Sequence, residues 1–189
     1  MNSMYFLIST LLDLYIVIVL FRVWLQWSHA DFYNPFSQFV VKITQPVVTP
    51  LRRIIPSIGG FDLASVLFVY VLCIGQSFVL QMIMLSEILP FNESYLLIGL
   101  ITMVKTAGKL LFWVLIIRSL LSWVNQGRHP IQIVIIQLTE PLVAPIRRRL
   151  PSLGGLDLSI LVPIIMLQFL NYFIGDLLTP YFAHLWFGL

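Results

Sequence analysis

An internal repeat constrains this chain more than any other feature of its sequence. The stretch TQPVVTPLRRIIPSIGGFDLA at 44–64 returns as TEPLVAPIRRRLPSLGGLDLS at 139–159. At a spacing of 95 residues the copies share 12 of 22 positions over 44–65, among them three prolines, two arginines, two glycines and an aspartate. Because residues of these kinds rarely recur together by chance, the sequence predicts two equivalent halves, residues 1–94 and 95–189.

Four long apolar stretches are candidate membrane-spanning segments. The chain is 59% apolar and 10% charged, with a mean hydropathy of +0.96, and a helix that crosses hydrocarbon needs about 20 apolar residues. A segment in lipid has no water to satisfy its backbone groups, so each stretch is predicted to be a helix. The predicted spans are residues 4–27, 63–85, 96–123 and 158–178. The fold class is therefore an all-α membrane protein with four transmembrane helices.

The arrangement of the spans follows from their number and from the charges between them. Each half has two spans, so both halves enter the membrane in the same direction, which predicts a parallel repeat about an axis along the membrane normal. Nine of the eleven Lys and Arg residues lie in or beside the two connectors that carry the motif, whereas the middle loop carries Glu87 and Glu93. The positive-inside rule then predicts cytoplasmic connectors, with both termini and the middle loop outside.

A short amphipathic segment begins each connector. After the dipeptide NP or HP, apolar residues follow at i, i+3, i+4 and i+7, which places them on one face of a helix, and proline suits its first position. Interfacial helices are predicted at about 35–45 and 130–140, ended by Pro46 and Pro141 and lying flat on the membrane. The apolar residues are Phe36, Phe39, Val40 and Ile43 in the first copy, and Ile131, Val134, Ile135 and Leu138 in the second.

The remainder of the motif is interpreted as a stiff basic elbow followed by a turn into the next span. Basic residues beside a span favour anionic lipid by about 1 kcal/mol each, so the arginine pairs are predicted to contact lipid headgroups or an acidic partner. The glycine pairs at 59–60 and 154–155 allow a sharp turn. Asp62 and Asp157 stand where the next spans begin and are predicted to cap them. The paired arginines are Arg52, Arg53, Arg147 and Arg148.

Three charged residues lie well inside the predicted spans: Asp13, Lys105 and Lys109. Ionisable groups in the membrane are costly and usually paired. Aligning Arg22 with Arg118 makes Asp13 the equivalent of Lys109, so these two side chains are predicted to lie at equal depth and to pair between the halves, with Lys105 nearby. Two interpretations stay open: the charges fasten a helix bundle, or they form a polar relay for a proton or an ion.

The sequence offers little support for catalysis. His29, His129 and His184 do not align between the halves and have no Cys, Asp or Glu at ligand spacing, and Cys73 falls inside a span. No catalytic residue, cofactor or metal site is predicted, and an enzyme is the least supported class. The net charge of +3 reflects the two connectors, so no nucleic-acid partner is expected.

The doubled motif resembles the YggT family of membrane proteins. The resemblance rests on the pattern R-x-W…NP…T-x-P-x-x-x-P-x-R-R-x-x-P-x-x-G-G-x-D on four spans, and the second copy departs from it at Leu120, where the first has Trp24, and at HP in place of NP. It implies a location in the bacterial cytoplasmic membrane. It also implies a link to osmotic tolerance, to cytochrome complex assembly in photosynthetic membranes, or to nucleoid or division-site organisation.

Two functions remain open at this point. The favoured one is a non-catalytic scaffold or assembly factor for membrane complexes, whose basic elbows contact anionic headgroups or other membrane proteins. The alternative is a small ion or solute pathway in osmotic adaptation. Four thin spans also leave side-chain surface for a second copy of the chain.

Overall fold

The computed structural model describes residues 3–57, 62–85, 90–124, 129–149 and 158–187. Within these residues the backbone forms six α-helices and no β-strand. The helices are α1 (Ser3–Trp27), α2 (Pro35–Ile54), α3 (Leu63–Leu85), α4 (Ser94–Val124), α5 (Pro130–Arg147) and α6 (Leu158–Phe187). The order of long helix, shorter helix and long helix therefore occurs twice along the chain.

Four of these helices, α1, α3, α4 and α6, are long and apolar enough to cross a membrane. The shortest candidate span, Ser159–Leu177, has 19 residues; at 1.5 Å per residue this length is close to the thickness of the hydrocarbon layer. The prediction of an all-helical chain with four long apolar helices is confirmed, and the candidate spans agree with the predicted ones to within a few residues.

The predicted ends of the two short helices are wrong. Helix α2 continues through Pro46 and Pro50 to Ile54, and α5 continues through its two prolines to Arg147. An interior proline removes a hydrogen bond and clashes with the preceding turn, at a cost of about 3 kcal/mol. Here the proline rings lie on the exposed side of each helix, while one side chain beyond the first proline of each helix is fully buried. Tertiary packing therefore holds the helix together past a residue that would end it in isolation.

The packing that overrides the prolines comes from one side chain in each short helix. Val48 of α2 and Val143 of α5 have no exposed surface, and each lies two residues beyond the first proline of its helix. Burying a valine in this way contributes about 1.5–3 kcal/mol. This gain is of the same order as the cost of one interior proline, so it offsets part of the cost of the two prolines in each helix.

Helix α1 ends in a Schellman motif. The backbone N–H of Ala30 bonds to the carbonyl of Leu25 at 3.0 Å, and that of His29 bonds to Gln26 at 3.2 Å, which is the pair of bonds that defines the motif. His29 adopts a φ of 50°, a left-handed conformation in which glycine is more usual. The chain thereby turns from α1 into α2 within a few residues.

The helices pack as a series of neighbours. Helix α3 contacts α1 and α4, and α4 also contacts α6. The close approach of α3 and α4 depends on Gly99, where an added methyl group would clash with Ile74. At one end of the bundle, α2 and α5 contact each other and cover a buried cluster. The cluster consists of Trp24, Leu25, Ala30, Val40, Leu110, Val114, Val134 and Leu138.

The predicted apolar faces of the short helices are divided between two environments. Val40, Val134 and Leu138 are fully buried against the long helices, whereas Phe39 and Ile131 are about half exposed. Each short helix thus presents one apolar stripe to the bundle and keeps a second one outside it.

Two buried arginine clusters as the candidate functional site

The first arginine cluster, defined as Arg22, Thr44, Arg52, Asp62 and Ser65, joins three helices. Arg22 lies near the end of α1, is 6% exposed, and donates through Nη1 to the Thr44 hydroxyl at 2.7 Å and to the Val41 carbonyl at 3.4 Å. A buried guanidinium is costly unless its N–H groups find acceptors. The contact therefore fixes α1 against α2.

Asp62 is the acid of this cluster and the residue before α3. Its carboxylate accepts from Arg52 Nη2 at 2.5 Å and Nε at 3.1 Å, and Arg22 Nε lies 3.8 Å away. It also accepts from the Ser65 hydroxyl at 2.5 Å and from the Ser65 backbone N–H at 3.3 Å, the geometry of a helix N-cap. One buried carboxylate thus ties the start of α3 to both arginines.

These contacts determine the charge state of Asp62. Burial alone would raise the pKa of its carboxyl, but the hydrogen bonds from Arg52 and Ser65, together with the charge of Arg52, lower that pKa below its usual value. Arg52 itself is partly exposed and donates to Gln26 of α1 at 3.1 Å. The ionised carboxylate is therefore the stable form in the folded protein.

The second arginine cluster, defined as Arg118, Thr139, Glu140 and Arg147, repeats the central contact and includes an acid, Glu140, that has no counterpart in the first copy. Arg118 of α4 donates through Nη1 to the Thr139 hydroxyl and, at 3.4 Å, to the Ile136 carbonyl. Its Nη2 donates to Glu140 at 2.8 Å, and Arg147 donates to the other carboxylate oxygen at 3.1 Å. Helix α4 is thereby fixed to α5.

The sequence reasoning missed the contact at the centre of both clusters. Arg22 and Arg118 were recognised only as an aligned pair of charges, although each copy of the repeat carries both an arginine and the threonine that begins the motif. Glu140 was missed because the first copy has Gln45 in its place, so the repeat gave no sign of it. The sequence signal that points to this contact is an arginine that recurs near the end of an apolar span in both halves.

The predicted paired arginines separate into two groups. All four are exposed, but Arg52 and Arg147 also pair with acids of the protein itself, Asp62 and Glu140. The predicted cap Asp157 and both glycine pairs lie outside the described residues.

The start of α2 and the start of α5 are joined directly, and here the two copies differ. The Asn34 side chain accepts from the Phe36 backbone N–H at 3.0 Å, which caps α2, and donates to the Pro130 carbonyl at 2.7 Å. His129 holds the corresponding position before α5 and makes no side-chain capping bond. The Asn34 side chain thus caps α2 and connects it to α5, and the HP dipeptide takes part through the Pro130 carbonyl that accepts this bond.

The charges inside the spans have neighbours that the sequence did not indicate. Asp13 of α1 accepts from the Gln76 amide of α3 at 2.7 Å, while Lys105 and Lys109 line a cavity between α4 and α6. Gln76 is thus the partner that the structure gives Asp13, rather than Lys109. The reason is that α1 packs along α3, which brings the amide within reach of the carboxylate.

Among the described residues, no group of three or more His, Cys, Asp or Glu side chains is close enough to hold an ion. Cys73 is a buried thiol in α3 and packs with Ile16, Val19 and Val69, as a small apolar side chain would.

The comparisons with known proteins agree on one family. The CCB3/YggT family model matches residues 1–83 and again 97–178. The chain is 59% identical to the "uncharacterized protein in proC 3′ region" of Vibrio alginolyticus over the full length of both chains. It is 47% identical to the "uncharacterized protein YggT" of Escherichia coli K12, over 94% of this chain and 92% of that protein. No solved structure matches it. The chain belongs to the CCB3/YggT family, and its two matched segments correspond to the two copies of the repeat.

Proposed function

We propose that this protein is a non-catalytic scaffold of the bacterial cytoplasmic membrane. In this proposal the two halves form a parallel repeat, with both arginine clusters on the cytoplasmic side and both termini outside. Arg52 holds α2 to the residue before α3, and Arg147 pairs with the Glu140 that Arg118 of α4 binds. Arg53 and Arg148 beside them contact anionic headgroups or the acidic segments of other membrane proteins.

The division of each arginine pair is the observation that carries this proposal. The first arginine of each pair is bound to an internal carboxylate, so it serves the fold. The second is exposed at the end of a short helix, Arg53 within the last turn of α2 and Arg148 directly after α5. Both helices also expose apolar side chains, such as Phe39 and Ile136. Exposed cations next to an exposed apolar stripe are typical of a helix lying in the headgroup region.

The proposed orientation has a direct test. Single cysteines at Ser57 and Ser94, in a background with Cys73→Ser, are exposed to a membrane-impermeant thiol reagent in intact cells. Ser57→Cys follows α2 and is expected to be protected, whereas Ser94→Cys at the start of α4 is expected to react. The reverse result would contradict a cytoplasmic location for α2.

The scaffold role is tested by separating the two kinds of arginine. Arg53→Gln with Arg148→Gln should reduce the anionic lipid and the partner proteins that co-purify in mild detergent, with thermal unfolding unchanged. The matched control, Arg52→Gln with Arg147→Gln, should lower the unfolding temperature, because each change breaks an internal ion pair. Isolation of the native protein with neither partners nor retained anionic lipid would contradict the proposal.

The alternative function is a small ion or solute pathway that contributes to osmotic tolerance. Asp13 and its bond to Gln76, at a level where hydrocarbon is expected, favour this alternative, since charges there often mark an ion route. Proteoliposomes under an osmotic gradient would show a flux that Asp13→Asn reduces. Equal behaviour of protein-free and native proteoliposomes would exclude it.

A further inference from the structure

An acid lies exposed on the first membrane-spanning helix. Asp13 is ten residues beyond Ser3, where α1 and its candidate span begin, so at 1.5 Å per residue it lies about 15 Å along the helix. This distance is about half the thickness of the hydrocarbon layer. The residue is exposed, and charged groups at such a depth are costly and usually paired. We therefore looked to its neighbours for a counter-charge.

The bond that Asp13 makes within the protein leaves its charge in place. Its carboxylate accepts from the Gln76 amide of α3 at 2.7 Å, and a neutral amide carries no counter-charge. Among the described residues, no Lys, Arg or His forms an ion pair with Asp13. The same amide leaves its own oxygen, Oε1, buried without a hydrogen-bond partner, which costs free energy. The contact is thus incompletely satisfied, and what the carboxylate lacks is a donor with a positive charge.

The surface beside this bond is open. On α3, Gly75 and Val79 lie on one side of Gln76 and are exposed. Cys73 and Leu80 lie on its other side and are buried. A methyl group added at Gly75 would meet no atom within 4 Å, and small residues of this kind let a neighbouring helix approach closely in a membrane. The exposed carboxylate and the exposed glycine therefore border one open face of the α1–α3 pair.

We propose that this face binds a transmembrane helix of another protein that carries a lysine or an arginine near its middle. A cation at that depth needs a carboxylate as much as Asp13 needs a cation, and a charge-assisted hydrogen bond satisfies both. Phe6, two turns before Asp13 on the same side of α1, is 61% exposed and supplies apolar contact. The charge selects this occupant, because an acyl chain or a wholly apolar helix leaves the carboxylate uncompensated. The inference goes beyond the scaffold proposal, whose contacts are made by arginines of the short helices.

The probe is a synthetic helix of leucine and alanine, long enough to span the bilayer, with one lysine at its centre and a dansyl group at one end. Protein and peptide are reconstituted together in vesicles of neutral phosphatidylcholine. Binding is measured as saturable energy transfer from the tryptophans of the protein to the dansyl group. The same peptide with methionine in place of lysine is the control probe. We expect the lysine peptide to bind about tenfold more tightly or better, the worth of a charged hydrogen bond.

Two variants connect this binding to the proposed face. Asp13→Asn keeps an acceptor for Gln76 and removes the charge, so it should abolish the preference for the lysine peptide. Gly75→Leu should obstruct the close approach of the peptide and weaken its binding severalfold. The matched controls should leave both the affinity and the preference unchanged. They are Asp176→Asn, an exposed acid near the end of α6, and Gly108→Leu, at a glycine where an added methyl group also meets nothing within 4 Å.

The arginines provide a further control. Arg53→Gln with Arg148→Gln should leave the preference unchanged, which separates this inference from the scaffold proposal. A preference for lysine that survives in Asp13→Asn, an undiminished affinity in Gly75→Leu, or equal binding of the two peptides would overturn the proposal. Failure of both peptides to bind would also overturn it. Energy transfer between two labelled copies of the native protein, removed by Asp13→Asn, would then assign the face to a second copy of this chain.

Discussion

The two arginine clusters place the same bond in different surroundings. In both, a buried arginine near the end of a long helix donates to the threonine that begins the motif. The described acids differ: Asp62 directly precedes the next span and its side chain is 1% exposed, whereas Glu140 belongs to the short helix itself and its side chain is 39% exposed. The repeat therefore preserves the contact between arginine and threonine, and Glu140 is an acid that the first copy, with Gln45 at this position, lacks. Asp157, which corresponds to Asp62, lies outside the described residues.

This difference predicts how much stability each cluster loses when its acid is removed. The Asp62 carboxylate is 1% exposed, pairs with two arginines and accepts from a helix cap, so its removal leaves buried donors without their acceptor. An exposed carboxylate in an otherwise similar network is partly screened by solvent, so its loss is less costly. We therefore expect the first cluster to depend on its acid more than the second does.

The largest expected effect comes from removing the two acids in turn. Asp62→Asn leaves buried Arg22 without its nearby carboxylate and should destabilise the protein by about 3 kcal/mol, toward the lower end for a broken buried pair. Glu140→Gln should cost less than about 1 kcal/mol. Denaturant unfolding of both variants in one detergent measures the comparison, and equal losses would contradict it.

Low pH should reproduce part of the destabilisation expected of Asp62→Asn, without any substitution. Because folding lowers the pKa of Asp62, its contribution is fully present above the unfolded value, about 3.9, and is lost as the pH falls through the lower folded pKa. The unfolding temperature of the native protein should therefore fall below about pH 4. Asp62→Asn should show a smaller acid-dependent fall, and an identical pH profile would argue against this account.

The bond that the clusters share should give matched, intermediate effects. Thr44→Val and Thr139→Val each keep the side-chain shape and remove the acceptor of a buried arginine, which should cost about 1–3 kcal/mol. Thr44→Ser, which keeps the hydroxyl, is the control and should lose much less. If only one of the two valine variants were destabilised, the two contacts would not be equivalent.

The smallest expected effect concerns the starts of the short helices. Asn34→Ala removes the cap of α2 and the bond to the Pro130 carbonyl, so it should cost about 1–2 kcal/mol. His129→Ala removes no capping bond and should stay within about 0.5 kcal/mol. Thermal unfolding of the two variants distinguishes them. A larger loss of stability from His129→Ala would contradict the assignment of the connection between α2 and α5 to Asn34.

Rules based on local sequence predicted the four long apolar helices correctly. They failed at the ends of the short helices, which depend on tertiary packing. Long apolar runs have only the helix available to them in lipid, so four long helices could be predicted from composition and length alone. Pro46 and Pro141 were expected to end the short helices because the rule for proline describes an isolated helix. Val48 and Val143, buried beyond these prolines, reverse that outcome, and their burial is a property of the assembled bundle.

The candidate site was only partly accessible to sequence reasoning for a related reason. The repeat identified Arg52, Arg53, Arg147 and Arg148 as a set, but it could not indicate that Arg52 and Arg147 bind internal carboxylates. That pairing depends on where Asp62 and Glu140 come to lie relative to α2 and α5. An acid present in only one copy, such as Glu140, leaves no trace in a comparison of the two halves.

By itself, the sequence determined that this chain is helical, apolar enough to cross a membrane four times, and built from two copies of one motif. These properties follow from hydropathy and from residues close together along the chain. Only the tertiary structure decided that Arg22 meets Thr44, that Asp13 bonds to Gln76, and that two lysines line a cavity between α4 and α6. Such contacts join residues on different helices, and their partners depend on how those helices are turned and packed, which no local pattern of residues specifies.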